Sequence, residues 1–294
     1  MYINNNSMAT NVANTLTSHY SDLKTSTERL STGLRVNSAA DDAAGLAIRE
    51  LMRTDIAALQ QGVRNANDAI SLLQTADGAL GIIDEKLTRM KELAEQAATG
   101  TYDSTQRLMI ESEYQAMASE ITRIANATDF NGIHLLDGNL SSSTHDGSGM
   151  TSKGKMKIHF GSANDSAEDY YYIQIGTSTA SALGVGNEAV STDGRTISTQ
   201  EAAQKALVAV TNAVVSKDKI RAHLGALQNR LENTVSNLTT QAENLQAAES
   251  RISDVDVATE MTKFVRNQIL TQSSVAMLSQ ANSMPKMAMQ LIGG

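Results

Sequence analysis

The sequence predicts a mainly α protein: a long antiparallel helical rod or coiled-coil bundle with a small β-hairpin region, joined to a terminal two-helix coiled-coil domain. Three observations carry this prediction. Helical apolar spacing runs from residue 1 to about 130 and resumes from about 200 to 294, while the zone between is rich in Gly, Ser, Thr, Asp and Asn. Aromatic residues are only 3% of the chain, Trp is absent and Pro285 is the single proline, so the core must be sealed by Ala and aliphatic side chains, as thin helical layers are. Finally, Leu224, Leu231, Leu238, Leu245 and Ile252 recur at strict sevens, the strongest periodic signal in the chain.

The elements follow in order. Leu16, Leu23 and Leu30 fall on one face of a first helix, with Val12 and Leu34 nearby. Gly33 suits a left-handed helix end. Ser38 followed by Asp41 predicts the next helix start, with Asp41 and Asp42 at its positive N-terminus. From Ile56 the apolar positions Leu59, Val63, Ala66, Ile70, Leu73, Ala76, Leu80, Ile83, Leu87, Met90, Ala94 and Ala97 advance by threes and fours. One helix over 44–98 would be about 80 Å long, which predicts a rod. Tyr102-Asp103-Ser104 offers a break and a cap. Leu108, Tyr114, Met117, Ile121 and Ile124 continue a further helix, and Phe130-Asn131-Gly132 ends it.

In the middle zone Met156, Ile158 and Phe160 alternate with Lys155, Lys157 and His159, and Tyr171, Ile173 and Ile175 alternate likewise, so a hairpin is expected. After the return helix, Val257, Met261, Val265, Ile269, Val275, Leu278, Ala281, Ala288 and Ile292 make a final amphipathic segment. A solitary helix buries almost none of such side chains. The last segment therefore needs partners, the first segment has the same need, and both are expected to become ordered on association with other subunits.

Charge and composition exclude several functions. A formal charge of −8 spread along the chain leaves no basic stripe for nucleic acid. Without cysteine there are no disulfides, thiolate metal sites or Cys nucleophiles. Met1-Tyr2-Ile3-Asn4-Asn5-Asn6 has neither the basic nor the apolar region of a secretory signal, and no stretch is apolar enough for membrane insertion. The residues alone point to the cytosol, or to an export route that leaves no cleavable signal.

Motifs of chemistry are incomplete. Gly149, Gly154 and Lys155 fit the start of a phosphate-binding loop, but Met156 stands where Ser or Thr must reach Mg²⁺. Gly184-Val185-Gly186 with Ala189 echoes a dinucleotide fingerprint without its βαβ unit and reads as loop. Ser21 with Lys24 and Ser216 with Lys219 have S-x-x-K spacing on solvated helix faces, without companion motifs. His19, His134, His145, His159 and His223 are scattered, and none has an acidic residue three or four positions before it, so no metal site is expected. Met277, Met284, Met287 and Met289 read as adaptable packing. No catalytic residue and no cofactor are predicted.

Leu30-Ser31-Thr32-Gly33-Leu34-Arg35-Val36-Asn37-Ser38-Ala39-Ala40-Asp41-Asp42-Ala43-Ala44-Gly45-Leu46-Ala47-Ile48 closely resembles the N-terminal signature of bacterial flagellins. The likeness continues through Arg64-Asn65-Ala66-Asn67-Asp68-Ala69-Ile70-Ser71 and Thr128-Asp129-Phe130-Asn131-Gly132. Leu224-Gly225-Ala226-Leu227-Gln228-Asn229-Arg230, Ser250-Arg251-Ile252-Ser253-Asp254, Ala258-Thr259-Glu260-Met261 and Gln280-Ala281-Asn282 are similar to the C-terminal half. A hook–filament junction protein and a cytoplasmic coiled-coil scaffold are the competing readings.

The resemblance implies an extracellular subunit of the flagellar filament, a homopolymer for swimming motility. It implies export by the flagellar type III apparatus with an export chaperone and no cleaved signal, and further contacts with filament cap and hook-junction proteins. It also implies two domains. Residues 1–42 and 252–294 would form an inner polymer-core domain through Leu16, Leu23, Leu30, Met261, Val265, Ile269, Leu278 and Ile292. Residues 43–251 would form an outer rod, with a hairpin and loop region at 139–200 and a seam at Leu224, Leu231, Leu238, Leu245 and Ile252. Arg89, Leu93, Gln96 and Glu113 match family positions that contact Toll-like receptor 5, whereas Thr88 and Glu95 stand where strongly sensed relatives carry Gln and Val.

Overall fold

The computed structural model describes residues 6–147, 153–165, 168–186 and 195–292, and within them every side chain but those of Lys153, Ala288, Met289, Leu291 and Ile292. Six helices are present among these: α1 (Ser7–Thr32), α2 (Ala43–Ala98), α3 (Ser104–Ala127), α4 (Ala180–Leu183), α5 (Gln200–Ser253) and α6 (Val257–Ile292). Short strands pair antiparallel in twos: β1 (Asp129–Phe130) with β2 (Ile133–His134), β3 (His145–Asp146) with β4 (Lys153–Gly154), and β5 (Met156–His159) with β6 (Tyr170–Ile173). Two compact units result, residues 1–56 with 243–294 and residues 57–242.

The larger unit, 57–242, is built on the three-and-four spacing of α2. Leu73, Ala76, Leu80, Ile83, Leu87, Met90, Ala94 and Ala97 are all buried, as the spacing predicts. They meet Tyr114, Ala118, Ile121 and Ala125 of α3, and Ala203, Ala206, Val210 and Ala213 of α5. Small residues on α5 let backbones approach closely, which is how a core poor in aromatic rings reaches close packing. Leu224, Leu231 and Leu238 of the expected seam are buried.

Two ion pairs set the antiparallel register of α2 and α5. Buried Lys217 places Nζ 2.5 Å from Asp84 and 2.7 Å from Asp218. One turn on, Arg221 forks onto Asp77 at 2.7 and 3.1 Å, and this guanidinium holds the Asp77 carboxyl below its ordinary range. A buried ammonium without such partners would be costly, so these pairs specify which turn of α5 faces which turn of α2.

The break before α3 follows the sequence reading. Asp103 caps the helix in a capping box with Gln106. Arg107 reaches back to donate to the carbonyls of Ala97 and Thr99 at 3.0 and 2.9 Å, satisfying the open end of α2. Phe130-Asn131-Gly132 does not terminate a helix, as the sequence suggested. α3 stops at Ala127, and Asn131 and Gly132, with φ of 52° and 79°, form the tight turn between β1 and β2.

The expected hairpin is present in the expected alternation, with Ile158 opposite Tyr171 and Met156 opposite Ile173. It lies against α2 at Gly62, where a side chain would strike the Phe160 carbonyl, and Asn65 Nδ2 donates to the His159 carbonyl at 2.9 Å. The phosphate-loop fragment forms part of a strand pair: Gly154, φ 80°, sits in β4 and donates to the Asn139 carbonyl, and strand β5 follows it. Gly149 lies outside the described residues. Gly184 is the left-handed end of the short α4, a helix the loop reading missed, and Ala189 is outside the described residues.

In the smaller unit, α1 and α6 run antiparallel, as fixed by Ser26 bonding Glu260 near one end and Asn6 bonding Ala281 near the other. The second contact follows from the chain's only proline. Pro285 has no amide hydrogen to offer the Ala281 carbonyl one turn back, and Asn6 Nδ2 donates to that oxygen at 2.8 Å.

Gly33 ends α1 in the left-handed conformation, φ 72°, as expected. The two inter-helix connections are then stitched together. Leu34 bridges Asp254, Arg35 N donates to the Ser253 carbonyl at 2.6 Å, and Val255 N donates to the Gly33 carbonyl at 3.0 Å. The start of α2 differs from the Ser38 expectation. Asp42 Oδ1 caps the helix by accepting from Gly45 N at 2.8 Å, while Asp41 is held in the preceding turn by the amides of Ser38 and Asn37. Two adjacent aspartates compete for a cap, and the one nearer α2 takes it. Bonds from Ser38, backbone first, hold the Asp41 carboxyl below its ordinary value.

Candidate functional site

The pairing of α1 with α6 determines which side chains of the smaller unit are available. On α6 the positions turned inward are Glu260, Phe264, Asn267, Thr271, Ser274, Leu278 and Ala281, in alternating steps of four and three. On α1 they include Val12, Leu16, His19, Leu23, Ser26 and Leu30. The spacing is that of a two-helix coiled coil, but one side of the seam is largely polar.

The centre of that polarity is Glu260. Ser26 Oγ donates to Glu260 Oε1 at 2.7 Å and Lys263 Nζ lies 3.1 Å from Oε2. Burial works to raise this carboxyl's pKa. The Ser26 and Lys263 hydrogen bonds and the charges of Lys263 and Arg29 outweigh it, so the carboxyl stays below its ordinary value. Arg29 Nε is buried without a hydrogen-bond partner among the described atoms. The seam thus aligns two helices through a charged group that tolerates little misregister.

Apolar side chains of α6 point elsewhere. Met261, Val265 and Ile269 are 45, 44 and 56% exposed, and with Val257 they form a continuous row at four-residue spacing. Leu270, Val275, Met277 and Met287 are exposed as well. Beside α1, an open groove of about 690 Å³ is lined by Tyr20, Leu23, Lys24, Thr27, Glu28 and Asn37. A helix pair that buries polar groups and exposes its aliphatic and thioether side chains is built to contact something further.

The expected core set is therefore divided. Leu16, Leu23, Leu30 and Leu278 are half-buried at the α1–α6 seam. Met261, Val265 and Ile269 lie outside it, and the Ile292 side chain is outside the described residues. Leu245 and Ile252, the last two members of the heptad row, are half-buried. Sequence reasoning missed Ser26, Glu260 and Asn6. The capping signal at Asn6 was present, three residues ahead of Ala9, whose amide it accepts.

In the larger unit, Arg89 forks onto Glu113 at 2.8 and 3.0 Å and also bonds Glu92 at 2.9 Å. Gln96 Nε2 donates to the Tyr102 hydroxyl at 3.0 Å. These three side chains, Arg89, Glu113 and Gln96, are exposed, whereas Leu93 is buried in the core and supports that surface from beneath. Ser21, Lys24, Ser216 and Lys219 are all exposed. Among the described residues no cluster of His, Asp and Glu is arranged to hold a metal, and no helix is long and apolar enough to cross a membrane.

Comparison with known proteins bears on these surfaces. Residues 3–141 match the bacterial flagellin N-terminal helical region, and residues 207–292 match the bacterial flagellin C-terminal helical region. The flagellar filament 33 kDa core protein of Treponema phagedenis is 41% identical over 99% of this chain and 100% of its own length. The flagellin of Bacillus subtilis is 41% identical, again over 99% of this chain and 100% of its own length. The crystal structure of Bacillus cereus flagellin is 29% identical, covers 63% of this chain and 94% of that one, and superposes with a TM-score of 0.46.

Proposed function

The chain belongs to the bacterial flagellin family and is a structural subunit of the flagellar filament, and we propose that its terminal helices, residues 1–42 and 252–294, form the inner core of that polymer by contact between copies. The observation that carries this reading is the exposed row Val257, Met261, Val265 and Ile269 on a helix whose inward face is polar. Burying apolar surface is the main drive to association, and this row has no taker among the described residues of its own unit. Leu16, Leu23, Leu30 and Leu278 hold α1 and α6 in register, and Met261, Val265 and Ile269 face neighbouring subunits, with Ile292 continuing the same helix. Residues 43–251 form the outer domain, held by the seam at Leu224, Leu231, Leu238, Leu245 and Ile252, with the hairpin and loop region 139–200.

The reading extends to the life of the subunit. The chain passes the type III export apparatus with a chaperone and without a cleaved signal, adds beneath a filament cap beyond the hook-junction proteins, and acts outside the cell in swimming. The double variant Val265→Asp with Ile269→Asp tests the central claim. It is expected to keep the helicity of the free subunit by circular dichroism and to form no filaments by electron microscopy. Filaments at the wild-type protein concentration would overturn the reading.

A second surface has its own support. Arg89, Gln96 and Glu113 share one exposed face of α2 and α3, with Leu93 beneath, and this face is proposed to be what Toll-like receptor 5 reads. Arg89→Ala should lower receptor signalling by the free subunit severalfold. Signalling equal to wild type would remove the assignment.

A further inference from the structure

With no cysteine in the chain, its 13 methionines are the sulfur groups open to oxidation. Five of them, Met261, Met277, Met284, Met287 and Met289, fall within the 36 residues of α6. Met261, Met277 and Met287 are 45, 57 and 47% exposed and Met8 on α1 is 52% exposed; in the larger unit Met90 is fully enclosed, while Met109 on α3 is 69% exposed.

Their placement is not random on the helix. Met261 sits between Val257 and Val265 in the exposed apolar row. Met287 is 18 residues beyond Ile269, five full turns, and so repeats its direction. Met277 is seven beyond Leu270 on the other flank. Met261 is one of the side chains assigned above to contacts between copies, Met8, Met277 and Met287 are exposed on the same two helices, and the inference that follows rests on that assignment.

We infer that Met8, Met261, Met277 and Met287 are a reversible oxidation site that governs whether a free subunit can assemble, with a hydroperoxide such as hydrogen peroxide as the oxidant. The thioether sulfur attacks the peroxide oxygen, forming the S–O bond as the O–O bond breaks. Sulfur loses two electrons, the peroxide gains them, and the departing hydroxide takes up the transferred proton and leaves as water. The product sulfoxide is polar and accepts hydrogen bonds, and an apolar contact offers it no donor, so a face carrying several of them resists burial. In the free subunit these sulfurs face solvent. In the filament the neighbouring copy covers them. Oxidation therefore acts on subunits that have not assembled and spares those that have, and sulfoxide reductases restore the thioether with a dithiol as reductant, the oxygen leaving as water and the dithiol becoming a disulfide.

Peroxide treatment of the purified full chain, followed by polymerisation and sedimentation, tests this directly. The critical concentration is expected to rise about tenfold or more, and to return after treatment with methionine sulfoxide reductases and a dithiol reductant. Filaments assembled first and then treated should show these four methionines unmodified by peptide mass spectrometry. The variant Met8→Leu, Met261→Leu, Met277→Leu, Met287→Leu should polymerise equally with and without peroxide. An oxidised wild-type chain polymerising at the untreated concentration would overturn the inference, as would a leucine variant still sensitive to peroxide or filaments oxidised as readily as subunits. Failure of the untreated chain to polymerise would instead overturn the assembly reading, which is a separate result.

Discussion

The larger unit and the smaller unit use the same helical spacing in opposite senses. On α2 the positions that recur by threes and fours are apolar and face inward, from Leu73 through Ala97. On α6 the inward positions include Glu260, Asn267, Thr271 and Ser274, and the apolar row Met261, Val265, Ile269 faces out. The larger unit buries its row, although Ile82, Leu108, Met109, Val208 and Val215 stay exposed on its surface. The other holds its row in reserve and uses polar groups only to set register. The difference separates a well-buried core from a helix pair whose exposed row is the one proposed above to meet other copies.

The largest expected effect is on local stability in the free subunit. Amides in α1 and α6 should exchange faster than those of α2 between Leu73 and Ala97 by roughly a hundredfold or more, since the open states of a poorly buried helix pair lie close in energy to the folded one. In the filament the gap should close. Strong protection of residues 7–32 in the monomer, equal to that of α2, would erase the distinction between the units.

A pair of truncations measures the same contrast in equilibrium stability. Leu87→Ala removes a fully enclosed side chain and should cost about 2–5 kcal/mol in chemical denaturation of the free subunit. Leu16→Ala removes a half-buried one at the α1–α6 seam and should cost about 1 kcal/mol. Similar costs at both sites would mean that the seam is as well packed as the core.

Much of the larger unit could be read from sequence, because its pattern is local. The buried face of α2, the cap at Asp103, the left-handed Gly33 and the alternation of β5 with β6 each depend on residues within a few positions of one another. The face by which α6 meets α1 could not be read in the same way. Its apolar residues lie around much of the helix, so periodicity alone does not say which stripe faces α1. The deciding contact joins Ser26 to Glu260 across 234 residues. Likewise, the Asn6–Ala281 bond becomes intelligible only once Pro285 is seen to leave that carbonyl without its usual donor.

The smallest effect concerns pH, and it isolates the polar seam from the apolar core. The ordinary carboxyl value for glutamate is 4.5, and Glu260 lies below it in the folded chain. A depressed carboxyl contributes stability that is fully present above the unfolded value and is lost as pH falls through the folded value. Acidification from about pH 5 towards 3 should therefore loosen α1 from α6 by protonating Glu260, with Asp256 at the head of α6, also depressed through its bonds from Thr259, adding in the same direction. Asp77 makes the larger unit respond with the same sign, but there the apolar core between α2 and α3 remains when the Arg221 pair weakens. Hydrogen exchange across this range should show α1 and α6 opening before α2. Glu260→Gln leaves an amide oxygen to accept from Ser26 and has no proton to gain, so it should flatten the pH dependence of the terminal pair while leaving that of the larger unit as it was. An unchanged pH profile in this variant would move the sensitivity away from Glu260 and onto Asp256 and Asp41, the other depressed carboxyls of that unit.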